Sequence, residues 1–196
     1  EPVAAMTMAV DRGKQGTELP VGVNMLRNDA RSALAIAATT GADFIRVNVH
    51  YGVMAAEEGM VHGEAYETLR HRKVLGVDVK ILADVLVKHA VPVGPQDLGQ
   101  MAQETTYRGL ADGLIVSGPV TGQPAEPSDV AVVREAVSEG FLLVGSGVDE
   151  NNAARILAAA DGAIVGTSLK RDGIVSNLID LDRVKRLAEI IHELGT

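Results

Sequence analysis

Residues 41–50 of the chain read GADFIRVNVH. Beyond its acidic residue, apolar and polar side chains alternate, which is the pattern of a β-strand with two different faces. The apolar face holds Ile45, Val47 and Val49, and the polar face holds Arg46, Asn48 and His50. The stretch therefore predicts a strand whose apolar face packs on helices, while its polar face lines a shared cavity.

An Asp directly before an aliphatic run recurs along the chain, at Asp43, Asp78, Asp112 and Asp161. These positions step by 35, 34 and 49 residues, so the first two steps fit one βα unit each and the last fits two. The predicted strands are residues 21–26, 44–49, 79–84, 114–117, 142–146 and 163–166. Six strands alternating with helices are therefore expected.

The segments between the strands carry apolar residues at helical spacing. Asn28 or Asp29 is predicted to cap a helix that Gly41 ends, and Asp180 to cap the last helix. Strands separated by helices run parallel. An open doubly wound sheet would carry a glycine-rich fingerprint after its first strand, and residues 22–28 lack one. The sequence therefore predicts an α/β fold of the (β/α)8 TIM-barrel type, with about six βα units in one domain over residues 1–196.

Six strands are fewer than the eight that close such a barrel. Residues 2–10 have a helical pattern and precede the first predicted strand. We therefore expect that an N-terminal portion holding two strands is missing from this chain. The alternative is a partner chain, such as a second copy in a homo-oligomer, that completes the barrel, because open sheet edges favour pairing.

Composition excludes several classes of protein. The chain has 196 residues, 46% of them hydrophobic, which is enough for a sizeable core. Its net charge of −8 leaves no basic stripe for nucleic acid. The absence of Cys excludes disulfides and Cys-ligated metals, so a reducing cytosol is the expected location. No cofactor is expected, and no metal either, since Asp84 with His50 and His89 matches no known ligand spacing.

The strongest functional signal lies in residues 144–148 (VGSGV) and 164–168 (IVGTS), which both end a strand in small residues. Glycine lets backbone amides approach an anion, hydroxyl groups add donors, and a following helix start adds a favourable dipole. Barrels often hold phosphate between the loops after their last two strands. The predicted phosphate-binding residues are Ser146, Gly147, Gly166, Thr167 and Ser168. The alternative is that these glycines only make tight turns.

The polar strand faces supply the other candidates. His50 is a candidate acid or base near neutral pH, and a hydrogen bond to a neighbouring loop is the alternative. Lys80 shares a strand face with Asp84 and could be a base or nucleophile of lowered pKa, or part of an ion network with Asp84. The predicted catalytic residues are His50, Lys80, Asp84 and Asn48. The predicted substrate-binding residues are Asn24, Arg27, Arg46, Ser117 and Gly118, among which Arg27 could clamp a carboxylate or a second phosphate.

Several of these runs resemble the BtpA/SgcQ family. They are residues 20–24, 41–50, 79–85, 114–118, 144–147 and 164–170, and they cover nearly the whole chain in order. The resemblance implies a TIM barrel of the ribulose-phosphate-binding type and a longer protein, whose first strands precede this segment. It also implies membrane-complex subunits as alternative partners, because the family's namesake is associated with photosystem I biogenesis or stability.

Two functions are compatible with this sequence. The first is an enzyme, or a binder derived from one, for a phosphorylated small molecule, with isomerase or lyase chemistry by proton transfer. The second is a non-catalytic assembly or stability factor for photosystem I or another membrane complex. A phosphate-sized anion site between the last two loops would favour the first function. A large apolar surface patch outside the barrel mouth would favour the second.

Overall fold

The computed structural model describes residues 1–86, 90–94, 97–118 and 124–195. The strands in those residues are β1 (Gly22–Asn24), β2 (Phe44–Val47), β3 (Val53–Ala56), β4 (Gly59–His62), β5 (Lys80–Leu86), β6 (Ala90–Pro92), β7 (Gly113–Val116), β8 (Phe141–Val144) and β9 (Gly162–Ala163). The α-helices are α1 (Pro2–Gln15), α2 (Ala30–Thr40), α3 (Ala65–Leu75), α4 (Leu98–Gln103), α5 (Pro127–Ala136), α6 (Ala153–Ile156) and α7 (Leu181–Glu193). None of these helices is long and apolar enough to cross a bilayer.

One parallel sheet of six described strands forms the frame, in the order β1, β2, β5, β7, β8, β9. Each new strand joins the edge left by the previous one, so strand order follows the chain and no topological switch point occurs. The sheet curls into a half-barrel, which confirms the TIM-barrel type of fold and all six predicted parallel strands. The last of these is much shorter than predicted, because β9 pairs with β8 at only two positions.

The apolar strand faces pack on helices, as the alternation predicts. Val23, Ile45 and Ile81 share one buried cluster with Leu34 and Ile36 of α2. Ile45, Ile81 and Leu34 are completely buried. Burying a Leu or Ile side chain contributes about 1.5–3 kcal/mol, so this layer fixes which face of the sheet turns away from the helices and toward the barrel interior.

The predicted ends of α2 are confirmed. The Asp29 carboxylate accepts a hydrogen bond from the Ser32 amide at 2.9 Å, which satisfies an otherwise unpaired donor of the first turn. Gly41 ends the helix in the left-handed conformation, at φ 73°, which only glycine adopts without strain. The Asp180 carboxylate caps α7 in the same way, through the amides of Asp182 and Arg183.

The repeated Asp residues have a structural role at the amino ends of the strands. In three of the four, the carboxylate accepts a hydrogen bond from an amide at the start of the preceding parallel strand, and pairs with a basic residue of the helix that leads into that strand. The amide distances are 2.7 Å for Asp43, 2.8 Å for Asp112 and 2.7 Å for Asp161. Their basic partners are Lys14, Arg72 and Arg134, respectively. These Asp residues therefore link neighbouring strands at their amino ends, on the side of the sheet opposite the barrel mouth.

The chain also forms a small antiparallel sheet of three strands, which the sequence analysis did not predict. The β3–β4 hairpin extends beyond β2, and β6 pairs with β3 on its other side. The hairpin turns at Glu57 and Glu58 and continues through Gly59, whose φ of 107° disfavours any other residue. Because the connections after β2 and β5 both leave from carboxyl ends, this sheet lies on the mouth side of the half-barrel.

Candidate functional site

The two glycine-rich loops after β8 and β9 come together, as predicted, around one cavity of about 570 Å³. The predicted residues Ser146, Gly147, Gly166, Thr167 and Ser168 all line it. Parallel pairing of β8 with β9 is the cause, because it brings the carboxyl ends of the two strands side by side. A cavity of this size accommodates a phosphorylated small molecule.

Side-chain hydrogen bonds hold the two loops in place. The Ser168 hydroxyl donates to the Val148 carbonyl at 2.7 Å and so ties one loop to the other. The side-chain nitrogen Nδ2 of Asn152 donates to the Gly147 carbonyl at 2.8 Å. The predicted role of Ser168 therefore needs correction: its hydroxyl proton is committed to the neighbouring loop, and it can meet a ligand only as an acceptor or through its backbone.

The predicted helix dipole behind these loops also needs correction. The loop after β8 leads into α6, which has only four residues, and the loop after β9 leads into a single 3₁₀ turn (Thr167–Leu169). The long helix α7 begins later, at Leu181, and Asp180 already occupies its first amides. An anion in the cavity would therefore be held by local N–H and O–H donors and by the guanidinium of Arg183, which also lines the cavity.

A second group of polar residues lies on the concave side of the sheet, centred on Asp84, which is 3% exposed. Its carboxylate accepts three hydrogen bonds from Arg46, the shortest at 2.8 Å from Nη2, and one of 2.7 Å from Asn48 Nδ2. Asn24 Nδ2 donates to Asn48 Oδ1 at 3.2 Å and to the Arg46 carbonyl at 2.9 Å. The structure thus brings together Asn24, Arg46, Asn48 and Asp84, all predicted from the polar faces of three strands.

The Asp84 group and the cavity meet at Gly145, which lines the cavity. A Cβ atom built on Gly145 would overlap Ser117 Oγ and lie 2.7 Å from Ile115 Cγ2 and 3.5 Å from Arg46 Nη2. Arg46 Nη2 also approaches Ser117 Oγ at 3.4 Å. The Arg46 guanidinium therefore lies close enough to position 145 to contact an added methyl group there.

Gly118 extends this connection, because its amide donates to Ser146 Oγ at 3.1 Å. The predicted substrate-binding residues Ser117 and Gly118 thus lie between Arg46 and the loop after β8.

Lys80 lies elsewhere, and the predicted pairing with Asp84 is wrong. Lys80 begins β5 at the amino edge of the sheet, where its ammonium pairs with Asp78 at 2.8 Å. That hydrogen bond raises the pKa of Lys80 instead of lowering it. Arg46 takes the position beside Asp84 that the sequence analysis gave to Lys80.

Arg27 is engaged by the hairpin. Its Nε pairs with the Glu58 carboxylate at 2.9 Å, in the turn between β3 and β4. Its neighbour Asn28 was the alternative to Asp29 as the cap of α2, and its side chain pairs with the backbone of Val49, accepting from N at 2.7 Å and donating to O at 2.9 Å. Both residues therefore attach the loop after β1 to the segment that follows β2.

His50 is buried, at 1% exposure, and contacts a loop and not the Asp84 group. Its Nε2 donates to the Gly109 carbonyl at 2.8 Å, at the end of a π-helical turn (Glu104–Arg108). Because a carbonyl only accepts, Nε2 carries the proton, and Nδ1 is a buried acceptor without a partner among the described residues. Burial lowers the pKa of His50, so the ring is neutral. The sequence analysis named a hydrogen bond to a neighbouring loop as the alternative to an acid or base role, and His50 makes such a bond to Gly109.

The neutral state of His50 predicts a loss of stability in acid. Because its pKa is lower folded than unfolded, the unfolded chain takes up the proton first, and the free energy of unfolding falls as pH drops below about 6.5. We expect His50→Gln, which retains a donor for the Gly109 carbonyl, to reduce this fall. Urea denaturation at about pH 7 and pH 5 measures it, with His62→Gln as the exposed control. Equal acid losses in wild type and His50→Gln would contradict the assignment.

Metal-binding residues are not grouped in the described part of the chain: no three His, Cys, Asp or Glu side chains there could share an ion. His89 lies outside the described residues. The sequence analysis did not single out Arg183 of α7, which lines the cavity. Its signal was weak, because it lies 15 residues beyond Ser168 in a helix that reads as ordinary surface.

The fold and the paired loops define a TIM-barrel type of α/β protein with a candidate anion site at its mouth. The chain belongs to the BtpA family, whose model matches residues 1–193. It is 49% identical to the photosystem I biogenesis protein BtpA of Synechocystis sp., over 97% of this chain and 67% of that protein. It is 31% identical to the putative sgc region protein SgcQ of Escherichia coli, over 99% of this chain and 72% of that protein.

A comparison with solved structures supports the fold independently. The N-(5'-phosphoribosyl)anthranilate isomerase of Pyrococcus furiosus matches with a TM-score of 0.64, over 95% of this chain and 80% of that one. The sequences are only 13% identical, so the likeness concerns the arrangement of the strands and helices and not the chemistry.

Proposed function

We propose that this protein binds a phosphorylated small molecule, with the phosphate in the cavity between the loops after β8 and β9. The observation that carries the proposal is the convergence of both glycine-rich loops and Arg183 on one cavity. Hydroxyl and amide donors with a nearby guanidinium are the groups that proteins use for phosphate.

The Asp84 group gives the proposed ligand a second point of attachment. The hydrogen bonds of Arg46 to Asp84 and Ser117 use Nε and Nη2, and among the described residues Nη1 has no partner, so we assign it to a carbonyl or carboxylate oxygen of the ligand. We assign the Asp84 carboxylate, which accepts hydrogen bonds from Arg46 and Asn48, to holding these two side chains in position. An isomerase or lyase reaction would use Arg46 to polarise a carbonyl group next to the bond that changes.

The test is thermal stability of the purified chain in the presence of inorganic phosphate and of phosphorylated sugars. A ligand at about 100 times its Kd stabilises by about 2.7 kcal/mol, which is a rise in Tm of about 5–10 °C for a domain of this size. Ser146→Ala and Thr167→Ala alter the two loops separately, and both are expected to reduce the rise. A rise that both substitutions leave intact would contradict the proposal.

A second candidate, an assembly factor for a membrane complex, is favoured by one surface feature. The segment 174–181, which we call the aliphatic strip, carries five side chains that are each at least half exposed: Ile174, Val175, Leu178, Ile179 and Leu181. Exposed apolar runs of this kind mark contact surfaces. Direct binding to purified photosystem I that Leu178→Ser with Ile179→Ser abolishes would support this candidate, and binding unaffected by both changes would oppose it.

A further inference from the structure

The cavity between the loops after β8 and β9 has one basic side chain among its described lining residues, that of Arg183. Two acidic residues, Asp149 and Glu150, also line it. Carboxylates repel phosphate, so the balance of charge in the cavity depends on which of these groups are already engaged.

Both carboxylates already interact with neighbouring groups of the protein. Asp149 Oδ1 accepts hydrogen bonds from the amides of Asn151, at 2.8 Å, and Asn152, at 3.1 Å. Glu150 Oε2 pairs with Arg186 Nε at 3.2 Å. The negative charge of each is therefore partly compensated by donors that a ligand does not need.

The Arg183 guanidinium is fixed in place but not saturated. Its Nη1 donates to the Ser168 carbonyl at 3.1 Å, which positions the group against the loop after β9. A guanidinium has five N–H donors, and this hydrogen bond uses one of them. Arg183 is half-buried in the first turn of α7, so its side chain is held where the helix faces the cavity.

We propose that Arg183 supplies the positive charge that binds the phosphate and makes the site selective for its doubly charged form. This inference rests on the proposed function and deepens it. The neutral donors of the loops orient the phosphate oxygens, and the guanidinium adds charge-assisted hydrogen bonds, which are about twice as strong as neutral ones. It also adds a preference for the dianion that backbone amides alone give only weakly.

Calorimetric titration with inorganic phosphate tests the proposal. Arg183→Gln removes the charge and is expected to weaken binding by about 10- to 100-fold. Arg183→Lys retains the charge without the planar group and should have an intermediate effect. Lys185→Gln removes the same charge from an exposed position of the same helix and should change Kd less than about twofold. The Tm of each variant without phosphate reports its folding.

The pH dependence separates a charge role from a merely structural one. Phosphate gains negative charge between about pH 6 and pH 8, so wild-type affinity should rise over this range, and the rise should be much smaller in Arg183→Gln. Arg183→Gln with wild-type affinity and pH dependence would overturn this inference alone. Wild type without phosphate binding would overturn the proposed function and this inference together.

Discussion

Replacing Gly145 by alanine is expected to abolish phosphate binding and to destabilise the fold by about 2–3 kcal/mol. The new Cβ would overlap Ser117 Oγ and lie 2.7 Å from Ile115 Cγ2, so the strand end, the serine or the loop must move. Movement of this loop also changes the cavity and the approach to Arg46, which is why one methyl group should remove binding as well as stability. Urea denaturation and phosphate titration measure the two effects.

Gly13→Ala is the control for this prediction. Gly13 lies in α1, is not among the residues that line the cavity, and a Cβ atom there meets only Val21 Cγ1, at an ordinary contact distance of 3.7 Å. We expect stability no lower than that of wild type and unchanged phosphate binding. Equal behaviour of the two variants would show that the close approach at position 145 has no functional consequence.

Asp84→Asn is expected to have the largest effect on stability, a loss of about 3–5 kcal/mol. The substitution preserves shape but leaves the Arg46 guanidinium without its counter-charge, in a site where the Asp84 side chain is fully buried. The new amide has one acceptor oxygen instead of two, so its nitrogen would face a donor of either Arg46 or Asn48. Asp78→Asn, in an exposed pair with Lys80, is the control and should change little. A change in Asp84→Asn as small as in this control would contradict the role given to the buried pair.

The order of strands and helices could be predicted because it depends on local patterns. Alternation in residues 44–47 defines both the strand and the face that packs on α2, and Asp29 and Gly41 mark the ends of that helix by their own hydrogen-bonding and backbone preferences. The convergence of Arg46 and Asn48 with Asp84 follows from the same alternation, once neighbouring strands are parallel.

The main error, the predicted pairing of Lys80 with Asp84, came from neglecting how far apart two residues of one strand lie. Lys80 and Asp84 lie on the same face of β5, but four residues of strand span about 13 Å, so Lys80 lies near the amino ends of the strands and Asp84 near their carboxyl ends. Both the face and the distance from Lys80 to Asp84 follow from the sequence of this one strand, whereas the actual partner, Arg46, depends on the register between β2 and β5, which no local pattern specifies. Arg46 lies two strand positions nearer the mouth than Phe44, which pairs with Lys80, and this places it within reach of Asp84.

Features that depend on distant contacts were missed for the same reason. The partner of His50 is a carbonyl of residue 109, and the partner of Arg27 is Glu58, in a hairpin whose only sequence signal is Gly59 between two short apolar runs. Arg183 reaches the cavity because the segment 170–180 folds back on itself, with the Asp180 amide bonded to the Leu169 carbonyl at 2.8 Å.

Amide NMR during a titration with inorganic phosphate shows whether the loops after β8 and β9 together bind phosphate. We expect saturable shifts of the amide signals of Gly147, Gly166 and Thr167 with a single common Kd, and small shifts at the amino ends of the strands. Saturation at residues outside the cavity, or no change at these three amides, would contradict phosphate binding by these loops.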